Sequence, residues 1–131
     1  MALLGVPNRL ASIIVIDDDP QVLETLMEML RQMGHHVVGA TDADVAITQF
    51  SQAATDLVIT DIIMPNKDGF ETIQAFRRSH NDVKILAVSG GGRFGQGSFL
   101  KEAKLFGADL ALMKPFTQRE LRAAVEALVP A

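Results

Sequence analysis

The residues able to do chemistry stand at the ends of short apolar runs. Asp17, Asp18 and Asp19 follow Ile13-Ile14-Val15-Ile16, and Asp61 follows Leu57-Val58-Ile59-Thr60. Ser89 follows Val83-Lys84-Ile85-Leu86-Ala87-Val88, and Lys114 follows Leu110-Ala111-Leu112-Met113. Carboxylates with no soft ligand nearby make a hard-oxygen site. Mg²⁺ suits such a site, because it takes one or two carboxylates and keeps waters or phosphate oxygens, whereas Ca²⁺ asks for more protein oxygens than this cluster offers. A cation beside Asp61 would also neutralise a phosphoryl group arriving on that carboxylate, with Lys114 and the Ser89 hydroxyl gripping the remaining oxygens. Each residue alone has a plainer use: an aspartate at a helix start is a cap, and a lone serine or lysine belongs to a turn or a solvated surface. Their joint position after four separate apolar runs is what indicates a site.

The elements around them set where those ends meet. Ser12–Ile16 is a continuous β-branched run, which marks a strand covered on both faces. From Pro20, apolar residues recur at helical spacing (Val22, Leu23, Leu26, Met27, Leu30, Met33) until Gly34 stops the helix. A short strand at His36–Gly39 and a helix at Ala43–Ser51, capped by Thr41 or Asp42, come next. Strand Leu57–Thr60 leads to the turn-rich segment Met64–Gly69 and a helix carrying Phe70, Ile73, Ala75 and Phe76. Strand Val83–Val88 is followed by a glycine-rich loop, Gly90–Ser98, and a helix over Phe99–Phe106 ended by Gly107. Strand Leu110–Met113 precedes a last helix, opened by a capping box of Thr117 and Glu120 and carrying Leu121, Ala124, Val125 and Leu128.

Five βα units in a row predict an α/β fold: a five-stranded parallel sheet in the order 2-1-3-4-5, with helices on both faces and right-handed crossovers. In such sheets the functional crevice lies at the carboxyl ends of the strands, at the switch point between the first and third. Those two strands are then neighbours about 4.8 Å apart, which crowds Asp17 and Asp18 against Asp61.

Composition narrows the alternatives. The chain has 131 residues, 48% hydrophobic and 21% charged, with a net charge of −4. That length suits one domain, expected to have its core over about 12–129 with 1–11 as an N-terminal extension. The acidic balance disfavours non-specific nucleic-acid binding. There is no cysteine, which removes disulfides, thiolate metal sites and thiol nucleophiles and fits a cytoplasmic location. No apolar run approaches the roughly 18 residues of a membrane span, and the first ten residues lack the pattern of a signal peptide.

Taken together, these residues resemble the receiver domain of bacterial two-component response regulators, of the chemotaxis-regulator kind with a flavodoxin-like fold. The resemblance runs from about Ser12 to Val129. It rests on Ile14-Val15-Ile16-Asp17-Asp18-Asp19-Pro20, on Thr60-Asp61-Ile62-Ile63-Met64-Pro65 with Asp68-Gly69, on Val88-Ser89-Gly90, and on Gly107-Ala108-Asp109 leading to Lys114-Pro115-Phe116. It implies that Asp61 accepts a phosphoryl group from the histidine of a sensor kinase or a histidine phosphotransfer protein. It implies Mg²⁺ held by Asp17, Asp18, Asp61 and the backbone carbonyl of Ile63. Ser89 would be the switch hydroxyl, Lys114 the phosphoryl counter-ion, with a Lys114–Pro115 bond often cis, and Asp19 the cap of the first helix. The implied protein is a signalling domain rather than an enzyme. It speaks to a downstream partner or output domain through its fourth helix, fifth strand and fifth helix, with a homodimer possible. With Ala131 just after the last helix, the resemblance leaves a stand-alone regulator, a relay intermediate or a receiver from a longer protein.

Three features depart from the family pattern. The position three before Lys114, often Tyr or Phe, is Ala111, and the chain has no Tyr. Ser89 and Lys114 are 25 positions apart, a long interval, with glycines at 90, 91, 92, 95 and 97. Ile63 and Gly91, two residues beyond Asp61 and Ser89, carry no side-chain hydrogen-bond donor for a hydrolytic water.

Rival readings fare less well. Gly90-x-Gly92-x-x-Gly95 with Asp109 nineteen residues on has the spacing of a dinucleotide fingerprint, but it follows the fourth strand, and Asp109 precedes a strand where the motif needs an acid at a strand's end. Gly92 to Gly97 then Ser98 has a P-loop spacing without its Lys. An aspartate-nucleophile phosphatase built on Asp17-x-Asp19 leaves Asp61 without a role. A receiver-like scaffold that binds without phosphorylation leaves Asp61, Ser89, Lys114 and the acidic pair unexplained.

The side chains at 63 and 91 predict a long-lived acyl phosphate. Ile63→Asn, which supplies a donor for water, should accelerate decay of a phosphoryl group on Asp61; the check is loss of label over time in the two proteins, and an unchanged rate counts against this reading.

Overall fold

Five strands and five helices alternate along the computed structural model, which describes residues 10–52, 55–62, 69–79, 82–89 and 96–129. They are β1 (Ser12–Ile16), α1 (Pro20–Gln32), β2 (His36–Ala40), α2 (Ala43–Gln52), β3 (Leu57–Asp61), α3 (Gly69–Ser79), β4 (Lys84–Ser89), α4 (Gln96–Leu105), β5 (Leu110–Met113) and α5 (Gln118–Leu128). All four strand pairings are parallel, in the order β2-β1-β3-β4-β5. This is the predicted topology.

The unbroken apolarity of the strands follows from a core on both faces. Because successive strand residues point to opposite sides, Ile13, Val15, Leu57, Ile59, Leu86 and Val88 meet Leu23, Leu26 and Leu30 of α1 and Leu121 and Val125 of α5. Their alternates Ile14, Ile16, Val58, Ile85 and Ala87 meet Ala46 of α2, Ile73 and Phe76 of α3 and Ala103 of α4. Every residue of β3 is buried, as its central position requires.

Helix ends are fixed by their sequence. Asp19 caps α1, its carboxylate accepting the Gln21 and Val22 amides, with Pro20 in the first turn. Asp42 does the same for α2 through the amides of Asp44 and Val45. The Thr117–Glu120 capping box opens α5 with both reciprocal bonds made. Helices α1 and α4 end in the same way, at Gly34 (φ 98°) and Gly107 (φ 112°). The amides of Gly34 and His35 donate to Arg31 and Leu30, and those of Gly107 and Ala108 to Lys104 and Ala103. Both are the paired closing bonds of a Schellman motif, whose left-handed residue glycine adopts most cheaply.

Boundaries differ from expectation at the two places nearest the site. Asp61 and Ser89 are the last residues of their strands rather than the first beyond them. The fourth helix starts at Gln96, so Gly97 and Ser98 lie within it instead of in a loop. A glycine costs about 1 kcal/mol in a helix interior, but Gly97 is only the second residue of α4. The expected loop positions 90–95 and the turn at 63–68 fall outside the described residues.

At the amino end of β1 the Ala11 amide donates to Nδ1 of His35 at 3.0 Å. Partial burial, and then the charge of Arg122, push the His35 imidazole below its ordinary value, with Glu126 acting the other way. A proton on Nδ1 would also abolish this acceptor. The native state therefore binds that proton less readily than the unfolded chain, so the His35 contribution is present above pH 6.5 and fades as pH falls below it. Losing one such bond is worth on the order of 1 kcal/mol. Urea titrations at pH 7.5 and 5.5 should show a larger loss of stability for the wild type than for His35→Gln, and equal losses refute the assignment.

Candidate functional site

Sheet order brings the chemistry together. Strands β1 and β3 are hydrogen-bonded neighbours, with Ile16 opposite Thr60, so Asp17 and Asp61 emerge side by side at the carboxyl edge. Carboxylate oxygens of Asp17, Asp18 and Asp61 lie within 4.8 Å of one another, the one such group among the described residues. Asp17 is 1% exposed and Asp61 7%, while Asp18 faces solvent.

Lys114 reaches this cluster from the far side of the sheet. Its amide donates to the Ser89 carbonyl at 2.7 Å, tying the ends of β4 and β5. Its ammonium then donates to Asp17 Oδ2 at 3.0 Å and Asp61 Oδ2 at 3.4 Å. The other oxygen of Asp17 accepts the Asp19 amide at 2.9 Å, so the chain that turns into α1 folds over the buried carboxylate. Burial alone would push the Lys114 ammonium down, but the Asp17 hydrogen bond and the charges of Asp61 and Asp17 outweigh it and hold the group above its ordinary value. Lys114 thus stays cationic throughout the neutral range, as a fixed counter-charge must.

Ser89 is fully buried at the end of β4, on the same edge. Beside Asp61, the Thr60 hydroxyl donates to the Asp61 carbonyl at 3.0 Å, and the Ile62 amide donates to the Val88 carbonyl at 2.9 Å. The chain leaving Asp61 is therefore anchored to β4. The Lys114–Pro115 bond is cis. Of the residues expected at the site, Asp17, Asp18, Asp61 and Lys114 converge, Ser89 stands on the same edge, and Ile63 lies outside the described residues. Ala111 sits half-buried in β5 opposite Ala87.

The donor set fits a small hard cation. Mg²⁺ takes oxygen ligands at about 2.0–2.1 Å, and the three carboxylates, already within 4.8 Å of one another, would have to draw closer to share one ion. Lys114 engages one oxygen each of Asp17 and Asp61, and every carboxylate oxygen has a second lone pair to offer.

One neighbouring feature escaped the sequence reading. A groove of about 450 Å³ opens beside Lys114, lined by Val22, Leu26 and Met29 of α1 and by Pro115 and Phe116. Helical spacing groups Val22 with the apolar residues of α1, and it is half-buried. Periodicity finds the apolar face of a helix but not which end of that face stays uncovered.

Known proteins share this arrangement. The profile of the response regulator receiver domain matches residues 13–126. The chain is 32% identical over 117 residues to the transcriptional regulatory protein CpxR of Escherichia coli, covering 89% of this chain and 48% of that protein. It is 36% identical over 117 residues to the transcriptional regulatory protein PrrA of Mycobacterium tuberculosis, covering 89% of this chain and 49% of the relative. It thus spans about half the length of these relatives. Its fold is similar to that of the Vibrio cholerae chemotaxis protein CheY4, with a TM-score of 0.83 and 25% identity over 92% of this chain and all of that one. The BeF3-activated DrrB receiver domain shares the fold at a TM-score of 0.79, covering 92% of this chain and 97% of that one. With acids, lysine and sheet order all in the places that the family profile spans, the chain belongs to the response regulator receiver domain family.

Proposed function

We propose that Asp61 is the phosphoacceptor of a histidine-to-aspartate phosphorelay. A carboxylate oxygen of Asp61 attacks the phosphorus of a phosphohistidine. The P–N bond breaks, its electron pair returns to the imidazole, which takes up a proton, and an acyl phosphate remains on Asp61. Lys114 would hold a non-bridging oxygen while releasing part of its contact with the carboxylates. The Ser89 hydroxyl, on the neighbouring strand end, is the group that would turn to the phosphoryl oxygens. Asp17 and Asp18, with Asp61 and the Ile63 carbonyl, would hold Mg²⁺, which supplies charge neutralisation when bound. The single observation carrying this reading is the bridge from Lys114 to two buried carboxylates on adjacent strands.

The added phosphoryl brings about two negative charges to a place where its ligands come from β1, β3, β4 and β5. Lys114 and Ser89 bind it better in one arrangement of the segment after β4 than in another, so phosphorylation shifts a two-state equilibrium. The consequence is read by a downstream protein, or by the rest of a longer chain, through α4, β5 and α5. The donor is a cytoplasmic sensor kinase or histidine phosphotransfer protein. Because Lys114 lines both the groove and the acidic cluster, a protein donor approaching Asp61 passes over Val22 and Met29.

Incubation with acetyl phosphate and Mg²⁺ should label the chain with one phosphoryl group by intact mass, mapped to the peptide holding Asp61. Label should be absent in Asp61→Asn and strongly reduced without Mg²⁺. Labelling elsewhere refutes the assignment, no labelling favours the scaffold reading, and steady turnover of a phosphate monoester favours a phosphatase. Val22→Glu on the groove should leave labelling by acetyl phosphate unchanged and slow transfer from a phosphorylated histidine protein at least about tenfold, since one desolvated charge is worth well over 1.4 kcal/mol at a contact. Equal rates from the protein donor would remove the groove from the donor's path.

A further inference from the structure

Opposite the acidic cluster, at the amino edge of the sheet, one guanidinium ties three segments together. Arg77, in the last turn of α3, donates through Nε to the Gly107 carbonyl at 2.9 Å and through Nη2 to Asp109 Oδ2 at 2.6 Å. Its Nη1 donates to the Val83 carbonyl just before β4. The same Asp109 oxygen accepts the Ile85 amide at 2.8 Å, and the Asp109 amide returns a bond to the Ile85 carbonyl at 2.8 Å. The turn after α4 also lies against the Arg77 stem: a Cβ on Gly107 would stand 3.2 Å from Arg77 Cγ and 3.4 Å from Ile73 Cγ2. A planar fork with several fixed donors suits this multiple attachment in a way an ammonium does not.

The described side chains of α4 itself are held more lightly. Over 101–105, where its side chains are described, only Ala103 is buried, and Leu105 is 81% exposed. The helix leaves the carboxyl edge after Ser89 and returns to the amino edge at Gly107. One end is therefore bolted to α3 and to β4, and the other stands over the edge that carries Ser89.

We propose that the Arg77–Asp109 clamp is the pivot of α4. It fixes the C-terminal end, so that any displacement driven from the Ser89 edge is taken up by the N-terminal part as a swing about Gly107. Arg77 is a positioning residue in this scheme and touches no reacting atom. The swing rests on the phosphoacceptor reading above; the fixed end does not.

Hydrogen exchange on the full chain separates the two. Without any donor, Arg77→Gln should speed exchange of the Ala108 and Asp109 amides at least about tenfold, while the core amides of Val15 and Ile59 change far less. Asp109→Asn, which keeps an acceptor for Ile85 and loses the charge, should act in the same direction and carries the test if Arg77→Gln does not fold. Unchanged rates at 108 and 109 in the variants that fold overturn the clamp. With acetyl phosphate and Mg²⁺, the wild type should change over 96–101 and not over 107–109, and Arg77→Gln should spread the change into 107–109 with Asp61 labelling intact. A wild-type change centred on 107–109 overturns the pivot. Absent labelling sinks the phosphoacceptor reading, while the donor-free rates still decide the clamp.

Discussion

The arrangement turns on one ammonium. Two carboxylates from neighbouring strands, Asp17 and Asp61, are buried at the carboxyl edge of the sheet and share the Lys114 Nζ. Buried charge without a partner costs several kcal/mol, and removing one member of such a group typically costs about 3–5 kcal/mol. The lysine cannot come from the strands it serves, because their ends already supply the acids. It comes from the end of β5, which is set at the right height by the Lys114 amide on the Ser89 carbonyl. Strand order, strand length and the site's electrostatics are in this way one constraint. A β5 one residue shorter would carry the cation away from both acids.

The two edges of the sheet handle the same backbone problem in different ways. A parallel ladder leaves unmatched amides and carbonyls at both ends of its strands, and buried ones must find partners. At the amino edge, side chains fill those places: Asp56 accepts the Ser12 amide, His35 that of Ala11, and Asp109 that of Ile85. Charge is matched locally there, with Arg77 against Asp109. At the carboxyl edge Asp17 also takes a backbone amide, that of Asp19, but the side chains chiefly face one another, three acids to one lysine. That leaves an excess of negative charge at this edge, which a bound cation would offset.

Much of this was legible in the residues. The continuous runs at β1, β3 and β4 implied a two-faced sheet, and the polar residue ending each run implied a shared edge, because every strand of a parallel sheet ends on the same side. Asp19 as a cap and the Thr117–Glu120 box could be read from local pattern alone, since their partners lie within three residues. The start of α4 at Gln96 could not, because the glycines at 95 and 97 argue by propensity for a loop. Nor could the Arg77 clamp: its acceptors are two backbone carbonyls and an acid 32 positions away, and nothing in a sequence marks a carbonyl as the partner of a particular guanidinium. The groove beside Lys114 was hidden for a related reason, as it exists only where α1 and the Pro115–Phe116 segment fail to meet.

Ala111 sharpens the question of how such a site would be read from outside. The position is half-buried, lies opposite Ala87 and packs with the face that also holds Ala103 of α4. A methyl group has no torsion by which to report a change at Ser89, so position 111 supplies no rotating aromatic. The helix that follows Ser89 in the chain, α4, runs between the carboxyl and amino edges. That helix is thinly attached along its described side chains and tightly attached at Gly107. With that end fixed, a displacement driven from the Ser89 edge would be taken up toward the N-terminal end of α4 without any side-chain switch. With no aromatic at position 111, the proposed pivot of α4 would be the route by which the site is read.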